Sequence, residues 1–261
     1  MLRLKNLGSG SAGNATLVEA KEGIHTTRLL IDCGLRLRDL ETRLNQAGTS
    51  SQEIDAIFIT HEHVDHIGCA QSLLKRKQVP IWMSQGCWMA IHTPQWNSFS
   101  PWFHRARDGE TINIKDLQLT PFTVPHDARE PLQLQCNNGD RRLGLVTDLG
   151  HVTQHVVESL QACHCLMLET NHDPELLANS TYPQFLKNRI SGDWGHLSNN
   201  KSADLLKRIS HKQLTHVIAA HLSERNNSPD LARQCLSSVL GCEAQDIYVA
   251  SPELGTPWFT V

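Results

Sequence analysis

The feature that most constrains this chain is a repetition. Apolar, strand-like runs end again and again in a residue able to bind metal or carry a proton. "RLLID" ends at Asp32, "AIFITHEH" at His61 and His63, "LTPFTVPH" at His126, "LGLVTD" at Asp148 and "HVIAAH" at His221. Short apolar runs of this length, bounded by polar residues, read as buried strands. Strands of parallel or mixed α/β sheets present their carboxyl ends on one side, where ligands bind. Strand ends of this kind can converge on one site.

The densest cluster, "ITHEHVDHIG", packs His61, His63, Asp65 and His66 together. Neutral imidazoles with a hard carboxylate suit a borderline divalent ion such as zinc or manganese. In a short loop His61 and His63 project to one side and can grip one ion, while Asp65 and His66, a turn further on, are displaced toward a second. A solvated polar loop is the plain alternative, and it does not account for such a cluster directly after "DAIFIT". A lone histidine after "FTVP", or an aspartate before "LG", is ordinarily a turn or core residue. Beside the cluster each gains a role: His126 completes a three-histidine site, His221 joins Asp65 and His66, and Asp148 bridges both. Two divalent ions about 3.5–4 Å apart can share a water, lower its pKa to about 7 and aim it at an electrophile.

A competing pattern lies in "LGSGSAGNATLVEA", where Gly8, Gly10 and Gly13 have the G-x-G-x-x-G spacing of a dinucleotide site, and Asp32 stands near the offset of a ribose-binding acid. That fingerprint needs a helix opening directly after the third glycine. "NATLV" is instead short and β-branched and leads to the strand-like "RLLIDCG", so no nucleotide cofactor is expected. With 261 residues, no linker-like stretch and no internal repeat, a single domain over 1–261 is expected. A net charge of -3 argues against coating nucleic acid by bulk charge, yet leaves local basic faces free to hold phosphates. "MLRLKNLGSG" lacks the apolar stretch of a signal peptide, and no apolar run approaches the ~20 residues of a membrane span. A soluble, cytoplasmic protein without membrane contacts is expected. The 8 cysteines show no paired C-x-x-C spacing and read as reduced, mostly buried thiols.

Asp32, "HEHVDH", His126, Asp148 and His221, in that order, resemble the five motifs of the metallo-β-lactamase superfamily and span nearly the whole chain. The resemblance implies an α/β fold, the αβ/βα four-layer sandwich: two mixed β-sheets packed face to face, helices outside, and a metal site at one edge. Helices with apolar residues at helical spacing fit "RLRDLETRLNQAG", "GCAQSLLKRKQ", "HVTQHVVESLQ", "SNNKSADLLKRIS" and "PDLARQCLSSVL". By the same resemblance Asp32 is no metal ligand; it holds the metal histidines through hydrogen bonds that fix their tautomers. The glycine stretch becomes a tight loop beside the site, where Gly10, Ser11 and Asn14 could offer donors to an anionic substrate.

Superfamily members hydrolyse β-lactams, thioesters, lactones and phosphodiesters, so the fold alone does not name the substrate. "LMLETNHD" and "GDWGHLSNNKSADLL", with "SGSAGN" and "HLSERNN", are similar to the YycJ/WalJ-type exonuclease branch. They are less similar to ribonuclease Z and to the cyclic phosphodiesterase of phosphonate metabolism. That resemblance gives His196 the task of meeting the scissile phosphate and protonating the leaving oxygen, which an imidazole of pKa about 6.5 can do near neutrality. The ordinary alternative is a histidine beside the Ser198 or Asn199 that starts the next helix. Asp65 and His196 are thus the catalytic candidates, and Ser198 and Asn199 join Gly10, Ser11 and Asn14 as candidate substrate contacts. Glu169 and His172, in "LETNHD", are candidates for supporting the site, a placement that a strand-end turn explains equally well.

Neither the long arm of ribonuclease Z nor an appended nucleic-acid-binding domain is evident, so transfer RNA is not the expected substrate. The basic stretches "LLKRK", "FHRAR", "DRRLG" and "FLKNR" can contact phosphates or simply be solvated. In "SPWFHRAR", Trp102 and Phe103 either stack on a frayed base or fill a lid or core. The resulting expectation is a phosphodiesterase with two divalent ions, zinc or manganese, acting on nucleic acid or a small phosphodiester, first of all as a 5′-to-3′ DNA exonuclease. A hydrolase of a small ester, thioester or lactam is the first alternative. A non-catalytic metal-binding or nucleic-acid-binding module is the second.

Overall fold

The run "RLLI" shows why the sheets lie where they do: Leu29 and Ile31 enter one buried cluster and Leu30 another. Successive strand residues face opposite ways, so a strand apolar on both faces must be covered on both. In the computed structural model, which describes residues 1–261, two mixed sheets of seven strands satisfy this demand. The first holds β1 (Leu2–Gly8), β2 (Ala15–Glu22), β3 (His25–Ile31), β4 (Ala56–Phe58), β5 (Ile81–Met83) and β6 (Phe103–Arg105). The second holds β7 (Ile112–Ile114), β8 (Leu117–Thr123), β9 (Leu132–Asn137), β10 (Arg142–Val146), β11 (Cys165–Glu169), β12 (His216–Ala220) and β13 (Tyr248–Val249). The last strand, β14 (Phe259–Thr260), returns to pair with β1.

Between the sheets, Leu29, Ile31 and Phe58 meet Leu143, Leu145 and Ile218. The outer face of the first sheet is covered by α1 (Leu37–Gln46), α2 (Val64–Ile67), α3 (Ala70–Arg76) and α4 (Gln85–Ile91), with Leu40, Leu44, Leu73 and Cys87 packing near Leu30 and Ile57. The second sheet is covered by α5 (Gln154–Leu160), α8 (Asn199–Ile209) and α9 (Pro229–Leu240), whose Val156, Leu205 and Leu236 pack on Leu166, Leu168 and Val217. Two further helices, α6 (Pro174–Asn179) and α7 (Gln184–Ser191), stand between β11 and α8 in the chain. The four-layer αβ/βα sandwich is therefore present, with α1, α3, α5, α8 and α9 where apolar spacing put them. The helices α2, α4, α6 and α7 lie outside those stretches, and α2 and α6, at 4 and 6 residues, carry too few turns to show that periodicity.

Strand direction gathers the site. In the first sheet β3 and β4 are parallel; in the second β10, β11 and β12 are parallel, and β8, two antiparallel steps from β10, runs with them. The residues just past these strands are Asp32, His61, His126, Asp148 and His221, with Glu169 ending β11. Three of them, Asp32 (φ 61), Asp148 (φ 54) and His221 (φ 56), hold a left-handed backbone that non-glycine residues rarely adopt. Such conformations cost about 1–3 kcal/mol each and persist where the surroundings over-determine them.

The glycine stretch turns β1 into β2, and Ala15–Glu22 is a strand where a dinucleotide fingerprint would open a helix. Its function is to lace loops together. The Asn14 N–H donates to the Asp65 carbonyl at 2.8 Å, the Gly34 N–H to Asn14 at 2.8 Å and the Cys33 N–H to His66 at 2.8 Å. This close approach requires glycine at 34, because a Cβ there would overlap the Asp65 carbonyl. Overpacking of a tight site costs about 1–3 kcal/mol. Gly34→Ala should accordingly lower the thermal midpoint by several degrees and loosen the Asp65 loop; an unchanged midpoint in calorimetry would show that the loops can part freely.

No helix is long and apolar enough to cross a membrane. All eight cysteines are free and six are buried, and burial pushes the Cys69 thiol up to about 12 and the Cys163 thiol to about 11. Phe103 stacks on Trp88 with ring centroids 4.3 Å apart, so it packs against the protein's own aromatic layer.

Candidate metal centre

Five histidines and two aspartates meet where the strand ends converge, and their hydrogen bonds decide which ring nitrogens face inward. Thr60 gives its hydroxyl proton to Asp32, at 3.0 Å, and its oxygen is then free to accept from His61 Nδ1 at 3.1 Å. His66 Nδ1 donates to Asp32 at 2.7 Å, His126 Nδ1 to the Gly195 carbonyl at 3.1 Å, and His221 Nδ1 to Glu169 at 3.0 Å. With Nδ1 occupied in each, Nε2 carries the lone pair. His63 is reversed: its Nε2 donates to the Asp127 carbonyl at 3.2 Å, which leaves Nδ1 inward.

The inward atoms include two groups, each with its ligand atoms within 4.8 Å of one another, His61, His63 and His126 in one and Asp65, His66 and His221 in the other, and His61, His66 and Asp148 form a third that joins them. Asp148 lies between them. Its Oδ2 is 3.1 Å from His66 Nε2, and its Oδ1 is 3.5 Å from His221 and 3.9 Å from His126. Asp65 Oδ2 stands 3.6 Å from both His66 and His221.

These residues fit divalent cations. His61 Nε2 and His221 Nε2 are buried without any hydrogen-bond partner, although buried polar atoms are ordinarily paired, and Asp148 Oδ2 is buried against His66 Nε2. The lone pairs of His63 Nδ1 and His126 Nε2 face each other at 3.4 Å, an arrangement that calls for a cation between them. Burial, reinforced by the neighbouring His66, holds His61 well below the usual imidazole range, and burial also lowers His126, so both are neutral as ligands must be. Burial opposes charge on His66 and His221 too, but the Asp148 carboxylate, with Asp32 at one and Asp65 and Glu169 at the other, outweighs it; His221 is pushed up to about 10. A cation at their Nε2 atoms would supply the positive charge that the carboxylates require.

Asp32 touches no other member of the inward group than His66 and reaches His61 through Thr60. It also accepts from the Thr60 N–H at 2.8 Å. An outer partner of this kind contributes roughly 10–100-fold to metal affinity or activity. Asp32→Ala should therefore weaken metal binding by about that factor in a competition titration while leaving uptake at saturation intact; complete loss of uptake would assign Asp32 to the ligands themselves.

Glu169, one of the two candidates for supporting the site, holds two of its histidines. It is fully buried, takes His196 Nδ1 at 2.8 Å and His221 Nδ1 at 3.0 Å on one oxygen, and accepts the Leu149 and Leu197 N–H groups at 2.9 Å on the other. Burial alone would raise its pKa, but His196 above all, with His221, brings it down to about 2. The signal was a lone carboxylate closing the otherwise apolar strand "CLMLE".

A cleft of about 340 Å³ opens over the centre, lined by Asp65, Asp148, His196 and His221 on one side and by Tyr182, Arg189 and Ser11 on others. Ser11 is the expected substrate contact that lines it. Asn14 is buried, its amide turned to Gly10 and Asp65, and Gly10 N–H is spent on Asn14 Oδ1 at 2.9 Å. Ser198 caps α8 by accepting from Lys201 N, and Asn199 pairs with Asn227 at 3.0 Å; neither lines this cleft. Their hydrogen bonds belong to the start of α8, and Ser198 lines a second, adjoining cleft instead.

A sandwich whose strand ends bring this donor set to one edge defines a metal-dependent hydrolase, with divalent metal as its cofactor. A model of the beta-lactamase superfamily domain matches residues 27–221. Over 98% of this chain and 97% of the relative, the sequence is 32% identical to an exodeoxyribonuclease, YycJ, of Bacillus anthracis. It is 30% identical to exodeoxyribonuclease WalJ of Streptococcus pneumoniae, over 96% of this chain and 95% of that one. Among solved structures, the metallo-β-lactamase fold protein YhfI from Bacillus subtilis superposes with a TM-score of 0.75 over 100% of both chains at 16% identity. The chain belongs to the metallo-β-lactamase superfamily.

Proposed function

We propose that the protein is a phosphodiesterase that uses two divalent ions, zinc or manganese, and acts on DNA as an exonuclease from the 5′ end. The observation that carries this reading is the Glu169–His196 pair at the edge of the cleft. Divalent ions held by His61, His63, His126 and by Asp65, His66, His221, with Asp148 between, would supply Lewis-acid polarisation and a nucleophile at neutral pH.

The chain's own residues do the rest. Glu169 binds His196 Nδ1 and so leaves Nε2 as the nitrogen available to a substrate. Burial disfavours a charged His196, yet the Glu169 carboxylate, with Asp148, raises its pKa above the ordinary imidazole value. His196 can therefore hold a proton at Nε2 for a departing alkoxide, which cannot leave without one. The near full-length likeness to two exodeoxyribonucleases supports a nucleic-acid strand as substrate.

Metal-loaded protein should release nucleotides from end-labelled DNA and hydrolyse bis(p-nitrophenyl) phosphate, with loss of a 5′ label preceding loss of a 3′ label. Turnover of thioester or lactam controls without either phosphodiester would overturn the reading.

A further inference from the structure

Helix α7 has no buried residue and separates two clefts. Leu186, Arg189 and Ile190 face the metal cleft. Gln184, Lys187, Asn188 and Ser191, at the three- and four-residue spacing of the opposite stripe, face a second cleft of about 320 Å³. That volume is within the range of small-ligand sites. Its floor is His172, Ser198 and the first turn of α8, including Lys201.

The two clefts differ in charge. Asp65, Asp127 and Asp148 line the first, while the second has Lys187 and Lys201 and no carboxylate. Lys187 Nζ donates to the Ala178 carbonyl at 2.6 Å and Lys201 Nζ lies 3.4 Å from that of Gly150. An ammonium has three donors, so each retains some for a ligand. The α8 N-terminus adds the positive end of an eleven-residue helix.

The observation that marks a ligand is His172. The residue is 2% exposed, lines this cleft, and its Nδ1 is buried with no hydrogen-bond partner. Burial first, with His196 and Lys201 adding and Glu169 opposing, holds it at about 4, so the ring is neutral. A buried imidazole is expected to be paired; here the protein provides nothing. Ser198 meets His172 through a parallel bridge, two residues after His196, so the second cleft adjoins the loop that carries the proposed proton donor.

We propose that this second cleft is an anion site for a phosphate group, held by Lys187 and Lys201 over the start of α8 with His172 beneath it. The anion site stands on its own geometry. That the phosphate is the terminal phosphate of the strand being cleaved, with α7 as the wall between the two clefts, rests on the phosphodiesterase reading.

The test separates these. Zinc-loaded protein labelled with ¹⁵N-histidine is titrated with inorganic phosphate. The His172 ring signals should shift saturably, with affinity about 10-fold or more weaker in Lys187→Ala and largely restored in Lys187→Arg, as expected for a charge-assisted contact. Absence of a His172 shift, or an affinity indifferent to Lys187→Ala, overturns the site. Oligonucleotides with 5′-phosphate and 5′-hydroxyl ends are then compared. Loss of kcat/KM on the phosphorylated strand alone in Lys187→Ala assigns the site to the strand, whereas equal rates beside intact phosphate binding assign it to free phosphate. A protein that cleaves no DNA would sink the nuclease reading and leave the titration to decide the anion site.

Discussion

Asp148→Asn should strip the protein of most of its metal and with it most of its turnover. Asp148 is 2% exposed and is the one residue within 4 Å of His66, His126, His196 and His221 together. Burial penalises its charge, but His221 and His66 outweigh this and hold its carboxyl well below the usual carboxylate range. The substitution keeps the shape and a residue type that tolerates the left-handed backbone at φ 54, and removes the charge. Two cations would then share a site with one inward carboxylate, Asp65, in place of two. Direct ligands should matter more than the roughly 10–100-fold of an outer partner. Elemental analysis after reconstitution should approach two ions per chain in the wild type and fall below one in the variant, with the far-ultraviolet spectrum unchanged. A wild-type ratio that stays at one under saturating metal would refute the two-ion centre.

What the sequence made legible, and what it did not, follows from how each residue earns its place. Asp32, His61, His126, Asp148 and His221 could be read because an apolar strand has a definite end and a polar residue there has a definite direction. Glu169 occupies the same kind of position but stands alone in "LETNHD", where a turn acid looks identical; only the fold shows two histidines and two backbone N–H groups converging on it. Ser198 and Asn199 lie outside the metal cleft for a different reason. Serine is a strong helix-capping residue, and a cap turns its oxygen toward the backbone. "FLKNR" could not be divided at all from composition, yet on α7 it sends Lys187 to one cleft and Arg189 to the other, where Arg189 pairs with Asp127 at 2.7 Å.

The inward-facing nitrogens carry a related lesson. Ligand spacing in "HEHVDH" names the residues but not the tautomers, because these depend on Thr60, Asp32, Gly195, Glu169 and the Asp127 carbonyl, which come from five different segments. Metal sites are specified as much by these partners as by the ligands. The left-handed backbones at Asp32, Asp148 and His221 fit this account: each turns a side chain sharply off its strand into a shared volume, at a conformational cost borne by the two sheets beneath.

His196→Ala should retain both metals and lose turnover selectively according to the leaving group. His196 lines the cleft, and its ring centroid is 5.3 Å from that of His126 and 5.2 Å from that of His221, so it borders two of the inward-facing histidines while its hydrogen bond goes to Glu169. If its proton goes to the departing oxygen, a DNA 3′-oxygen, which is a poor leaving group, should suffer the full loss. General acid catalysis contributes about 10²–10⁴-fold. A p-nitrophenolate departs without a proton, so hydrolysis of bis(p-nitrophenyl) phosphate should fall far less. Glu169→Gln should shift the pH profile of DNA cleavage, because Glu169 is the chief group that raises the His196 pKa. Removing it lowers that pKa, so the acidic form of His196 should be lost at a lower pH and the alkaline limb should move down. Equal losses on both substrates in His196→Ala would assign His196 to holding the phosphate, and an undiminished rate on DNA would remove it from the mechanism.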